Sequence, residues 1–535
     1  MAQVRWITAA FILSFASSPQ ILTARTEHES TAATAEHLGK VYFPTSCSPE
    51  AQSGIEKGVA LLHSFQYEEA RQTFVVVEKR DPKCAMAHWG NAMSLYEQLW
   101  EFPNDKTLKE GHKEIEQATK LKPSSPRELG FLSTAAAFYH KNGKLSHVQR
   151  KEAYTAALEK FRQQIPGDVE IDSFYALSLV SLAEDDVDMM ANLRKAIAVL
   201  DPLLPQYPDH PGVAHYLIHA TDKPELAEQG LAAARRYAAI APDSPHAIHM
   251  PSHIFVRLGL WQDSILSNIA SSASAAHASE MHTAESHYQT HAMDFLNYSY
   301  LQSGQQAKAL EVIQHMDHLV GASEEAKADH RAYLQARTLL ELHQWKEAAK
   351  LQASVGSNRW QDATPWARAI GAARTGDVAT AESAVKDLTK TVAERESRER
   401  KGGYTITPGK AADLSEAEAW LGFAQGKTEQ ALEELKSAAE RQEKTGGESV
   451  VIPAREMLAD MQMELKQPSA ALAEYRIVLK NAPNRFDALL GAGRAAQATG
   501  DSSGAQSYFA KLTELCPAGA DRPELAEAKT ILAKK

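Results

Sequence analysis

The chain has 535 residues, with 57 Lys and Arg against 68 Asp and Glu for a formal net charge of −11. That balance, with a mean hydropathy of −0.37, argues against nucleic acid or an anionic membrane as partner, since both call for a basic face. The length suits several domains, or one array in which each unit packs only on its neighbours. At the N-terminus Arg5 precedes an apolar run, Trp6 to Phe15 (WITAAFILSF), followed by small residues at Ala16, Ser17, Ser18, Thr23 and Ala24. Ten residues fall short of the roughly 20 that a membrane-spanning helix needs. Residues 1–24 are therefore expected to be a cleaved signal peptide, with an uncleaved leader as the alternative. That expectation carries a periplasmic or secreted location and no membrane span after removal. Residues 25–42 form a polar lead-in expected to be unstructured.

Three cysteines, Cys47, Cys84 and Cys516, suit an exported chain. Cys47 and Cys84 stand 37 residues apart, about one repeat, which leaves two readings: a disulfide between neighbouring corners, or two buried thiols. Cys516 has no evident partner in the sequence.

From residue 45 onward one register recurs. Gly500, Ala505, Phe509 and Pro517 repeat 34 residues after the set Ala471, Tyr475 and Pro483. Ala70 with Phe74 and Pro82, Gly304 with Ala309, Gly376 with Ala381, and Gly426 with Ala431 continue the pattern. A turn residue, then a small residue where two helices pack closest, then a large apolar one, then a helix-ending Pro is the signature of a 34-residue helix pair. The pattern resembles the tetratricopeptide repeat (TPR) and predicts an all-α fold, a right-handed solenoid of antiparallel helix pairs.

On that frame sits the most informative constellation. His215 and His219 form one His-x-x-x-His pair, and His249 and His253 form a second, 34 residues further on in both members. A third pair, His287 and His291, follows. Ten of the 21 histidines lie between residues 210 and 291, and none follows His343. Imidazoles at i and i+4 share one helix face with Cβ atoms about 5–6 Å apart, and neighbouring helices pack at about 8–10 Å. Side chains from two or three adjacent helices can thus converge on an ion held at about 2.0–2.1 Å. His215, His219, His249, His253, His287 and His291 are the candidate metal ligands, and imidazole sets suit zinc, copper, iron or nickel. Pro251 interrupts the second pair: Pro is tolerated in the first turn of a helix, so it places a helix start between His249 and His253 and makes His249 the weakest candidate.

In the TPR resemblance, fixed places on the first helix of each unit line a concave groove. That implies groove positions for His246, Arg257, Asp294 and Tyr298, and for His63 in the first unit. Asp222 is either an acceptor that orients an imidazole or the cap of the next helix, and its place before Pro224 favours the cap. A second N-terminal cluster holds His63, His88, Trp89 and Trp100, where the tryptophans suit packing.

The stretches CAMAHWGNAM, HYLIHATDKPELA, PHAIHMPSHIFVRLGLW and APNRFDALLGAGRAAQATGD resemble a group of bacterial secreted TPR proteins and, more distantly, the tetratricopeptide protein 38 family. The resemblance implies the fold and the placing of the histidines, and it supplies no reaction.

The chain divides into a His-rich solenoid over 43–320 and a plainer one over 321–535. The plainer part is interrupted near 393–412, where the charged run AERESRERKGG is expected to end a long helix before a loop with Pro408 and Gly409. Three functions fit. One is a groove-lining histidine site that holds a transition metal. Another is a metal-free scaffold binding a peptide or protein partner in the groove. The third is a metal-dependent hydrolase or oxidoreductase, with Tyr298, Asp294 and Arg257 as nearby acid-base or anion-binding groups. No serine-nucleophile, phosphate-loop or paired-carboxylate motif is present.

Overall fold

A computed structural model describes residues 37–533 apart from 100–101, 141–144, 186, 281–285, 353–360, 403–410 and 448. The expected signal peptide, the lead-in as far as residue 36, Trp100 and the loop with Pro408 and Gly409 lie outside the described residues. Every regular element among the described residues is a helix, and the fold is an all-α TPR-type solenoid.

The recurring residues explain the helix pairs. Gly304, Gly376, Gly426 and Gly500 each adopt a positive φ, between 72° and 82°, a left-handed conformation that costs Gly little. Each stops the first helix of a unit and turns the chain into the second, as in Phe486–Ala498 followed by Ser502–Leu515. The small residues Ala309, Ala381, Ala431, Ala471 and Ala505 are buried at the crossings, where a larger side chain would push the helices apart. Phe74 fills the space left by two glycines: a Cβ on Gly58 or Gly90 would come within 2.5 Å of its ring.

The array folds back on itself. Trp261 donates from Nε1 to the Asn484 carbonyl at 2.9 Å, and the Phe486 amide donates to Gln302 Oε1 at 3.0 Å. The fully buried Arg485 donates to Glu341 and Glu456 at 2.6–3.0 Å and to Tyr298 at 2.9 Å. Units near the C-terminus are thereby docked on those between residues 245 and 305.

One region differs from expectation. The lead-in packs from Leu38 onward: Leu38 and Phe43 are buried, the Lys40 amide donates to the Asp209 carbonyl, and the Tyr42 amide donates to Glu170. Its apolar residues join the main hydrophobic core, which local polarity does not announce. The charged run from Ala393 ends the long helix Val378–Gly402, as expected. Cys47 and Cys84 form a disulfide, tying the segment before the Pro49–His63 helix to the start of the Ala85–Ser94 helix.

Candidate metal centre

Three consecutive first helices build the site. Pro211–Thr221 carries His215 and His219; Pro245–His249 and Pro251–Arg257 carry His246, His249 and His253; His287–Gln302 carries His291. Pro251 does divide the middle helix, yet Met250 keeps right-handed helical angles (φ −52°, ψ −35°). His249 and His253 therefore still stack one turn apart, and the expected weakness of His249 does not arise.

The six imidazoles fall into two groups. His215, His219 and His246 each offer a nitrogen within 4.8 Å of the others, and so do His249, His253 and His291. Within them His215 Nε2 lies 3.1 Å from His219 Nε2, and His249 Nε2 lies 3.1 Å from His253 Nε2. The groups abut, with ring centroids 6.3 Å apart for His219 and His253 and 6.2 Å apart for His246 and His249.

Hydrogen bonds on the far side of the rings fix which nitrogen faces inward. His215 Nδ1 donates to the His63 backbone carbonyl at 2.6 Å, and a carbonyl can only accept. His249 Nδ1 meets Asn268 Oδ1 at 2.7 Å, and the amide orientation is set because Asn268 Nδ2 donates to the Ser264 carbonyl. His253 Nδ1 donates to Asp222 at 2.8 Å, whose other oxygen accepts from Arg257 Nε at 2.8 Å. All three rings, when neutral, turn an Nε2 lone pair toward the centre of their group. Partners of this kind orient metal-binding imidazoles.

Electrostatics keep most of the rings neutral. Burial holds His215, His246 and His249 well below the usual imidazole pKa, with neighbouring rings adding to the effect. His219 is lowered to about 3 by burial and then by His253. Burial works to raise the Asp222 carboxyl, but Arg257 and His253 prevail and hold it well below the carboxylate range. The surrounding walls are aromatic: Phe65 packs on His215, His219 and His246, and Phe295 packs on His249, His253 and His291.

The other sequence candidates take different places. His287 stands outside both groups, its ring against Tyr288, and His246 occupies the place expected for it. The signal was present as the i, i+3 spacing of His246 and His249. His63 is wholly buried and contributes its backbone carbonyl. Asp222 does not cap the next helix, whose start has no side-chain cap, because its carboxylate is engaged by His253 and Arg257. Arg257 is not open to an anion either: besides Asp222 it donates to the carbonyls of Gly446 and Gly447 at 3.1 and 2.8 Å. Asp294 pairs with Arg337 at 2.7 Å and Tyr298 with Arg485, so neither stands among the histidines. Asn268, a single amide on the following helix Trp261–Glu280, carries no motif in the sequence that marks it.

A further buried group, His63, Glu170 and His210, is of another kind. His63 Nε2 and His210 Nε2 both reach the Glu170 carboxylate, at 2.8 and 3.1 Å. The remaining nitrogens are used too, His63 Nδ1 by the Tyr216 hydroxyl and His210 Nδ1 by the Val213 amide. Each ring has a complementary partner at both nitrogens, so this network is complete without an ion.

No family model matches the chain, and no curated protein matches it. Among solved structures, it is similar to the human IFIT1 dimer with m7Gppp-AAAA, at 14% identity and a TM-score of 0.35 over 85% of this chain and 94% of that one. A monomeric IFIT1 mutant with Gppp-AAAA gives 14% identity and a TM-score of 0.36 over 87% of this chain and 100% of that one. Neither likeness bears on the histidine site.

Proposed function

We propose that the protein is an exported TPR solenoid that holds a transition metal in its central histidine cluster. The observation that carries this reading is the facing of the inward Nε2 atoms of His249 and His253 at 3.1 Å, both rings being committed to donate from Nδ1. Two imidazole lone pairs at that distance repel unless an electrophile lies between them. A proton would reconcile one pair of nitrogens, whereas an ion reconciles three. Ligand nitrogens at about 2.0–2.1 Å from a tetrahedral ion stand about 3.3–3.4 Å from each other, close to the spacing present. Three nitrogens per group leave a coordination position for an exogenous ligand, the condition for metal-assisted chemistry.

A metal-free peptide groove fits less well, because half of these histidines are buried and Arg257, its natural anion reader, is already engaged. The test is elemental analysis of protein purified without a histidine tag, beside a His219→Ala, His253→Ala double variant. Near-stoichiometric metal in the parent and its loss in the variant are expected. A parent that takes up no zinc, copper, iron or nickel on reconstitution would sink the proposal.

A further inference from the structure

We infer that the two histidine groups form one dinuclear copper centre that binds dioxygen as a ligand shared between its two ions. The inference rests on the metal reading above and concerns number, identity and ligand.

The first observation is continuity. Ring centroids within the groups lie between 4.3 and 6.5 Å apart, as for His249 with His291 and His219 with His246. The spacings across the boundary, 6.2 and 6.3 Å, fall inside that range. Each group supplies three nitrogens to its own ion, and a small bridging molecule can complete both. Ions about 3.5–4 Å apart commonly share substrate or solvent oxygen in this way.

The second observation is the donor set. Both groups are made of imidazoles alone, with no carboxylate among the six. Hard divalent ions favour oxygen donors, whereas nitrogen sites rank copper at the top of the first-row series. Two Cu(I) ions also bring half the charge of two divalent ions into a pocket walled by Phe65 and Phe295, where uncompensated charge is costly. When dioxygen binds, each copper gives up one electron and the O–O unit accepts both as peroxide. The two added positive charges are matched by the two negative charges of the ligand, and neither a proton nor an outside reductant is required. Removal of dioxygen runs the same step backward.

The third observation is access. His215, His246 and His249 form the buried floor, while His219, His253 and His291 are partly exposed. That side is the more open one, and it is the side from which a diatomic molecule would approach.

The experiment loads metal-free protein with Cu(I) under argon, admits dioxygen, and records copper per chain, dioxygen uptake and the electron paramagnetic resonance spin count. Two coppers per chain, one dioxygen per pair, release under vacuum and a nearly silent spectrum are expected, because bridged Cu(II) spins cancel. The His291→Ala variant, altered at the exposed edge and checked for retained helicity, is expected to lose dioxygen uptake and to show a Cu(II) signal after oxidation. Failure to bind copper, zinc, iron or nickel at all overturns the metal reading itself. Binding of one ion, of two magnetically independent coppers, or of zinc in preference to copper overturns this inference and leaves the metal reading standing.

Discussion

Asp222 is a single carboxylate that does three things for the site. It fixes the tautomer of His253, it supplies negative charge beside a cluster of neutral rings, and through Arg257 it is joined to the segment holding Gly446 and Gly447. Replacement by Asn keeps the shape but removes the charge and lets the amide present a donor to His253. A drop of about 10–100-fold in metal affinity is expected, measured by competition with a chromophoric chelator. Unchanged affinity would mean that Asp222 serves only the Arg257 contact. This role was only half legible in the sequence: proximity to Pro224 suggested a cap, and the partner that decides the matter, His253, lies 31 residues away. The same holds for His246, which required knowing how two helices rotate against each other. The i, i+4 pairs were legible because both members ride on one helix face.

At the scale of elements, the contact that sets His215 is the close approach of the Pro211–Thr221 helix to the end of the Pro49–His63 helix. Gly212 permits it: a Cβ there would stand 2.4 Å from His63 Nδ1. The His63 ring cannot yield easily, being held by Glu170 and Tyr216 in full burial. Gly212→Ala is therefore expected to destabilise the fold by about 1–3 kcal/mol, read as the denaturant midpoint, and to weaken metal binding by displacing the carbonyl that anchors His215. A variant with an unchanged midpoint would show that the helices separate without strain. Helix pairs were legible from the sequence because turn glycines, small crossing residues and terminal prolines recur at one period. The docking of Trp261 on Asn484 and of Arg485 between Glu341 and Glu456 was not, since a repeat period says nothing about which distant units meet.

For the whole molecule, two stabilities are open to measurement. The Cys47–Cys84 bridge closes a 37-residue separation, and reduction, or replacement of both residues by Ser, is expected to cost about 3–4 kcal/mol on chain-entropy grounds, seen as a lowered melting temperature. An unchanged melting temperature would place that segment outside the cooperative unit. Metal-free protein should also lose stability in acid. Burial lowers the pKa values of His63, His147, His215, His219, His246 and His249, with His147 and His219 brought down to about 3. As pH falls below about 6.5 the unfolded chain takes up protons that the folded chain refuses, so stability present above that pH is lost progressively toward the folded values. Melting curves in chelator between pH 7.5 and pH 4.5 test this, and a flat profile would refute it. Metal should flatten the upper part of the profile by holding the ligand nitrogens.

The clasp formed by Lys223, Arg257 and Arg337 on the carbonyls of Thr445, Gly446, Gly447 and Val450 has a consequence in time. All six histidines of the two groups emerge from the ribosome well before residue 445 does. On the metal reading proposed above, an ion could be delivered to an unfinished solenoid, whose later units would then shut over the neighbouring arginine. On that reading exchange of the ion would be paced by the opening of a protein joint, and a cell supplying metal after folding is complete would face a slower task than one supplying it during folding.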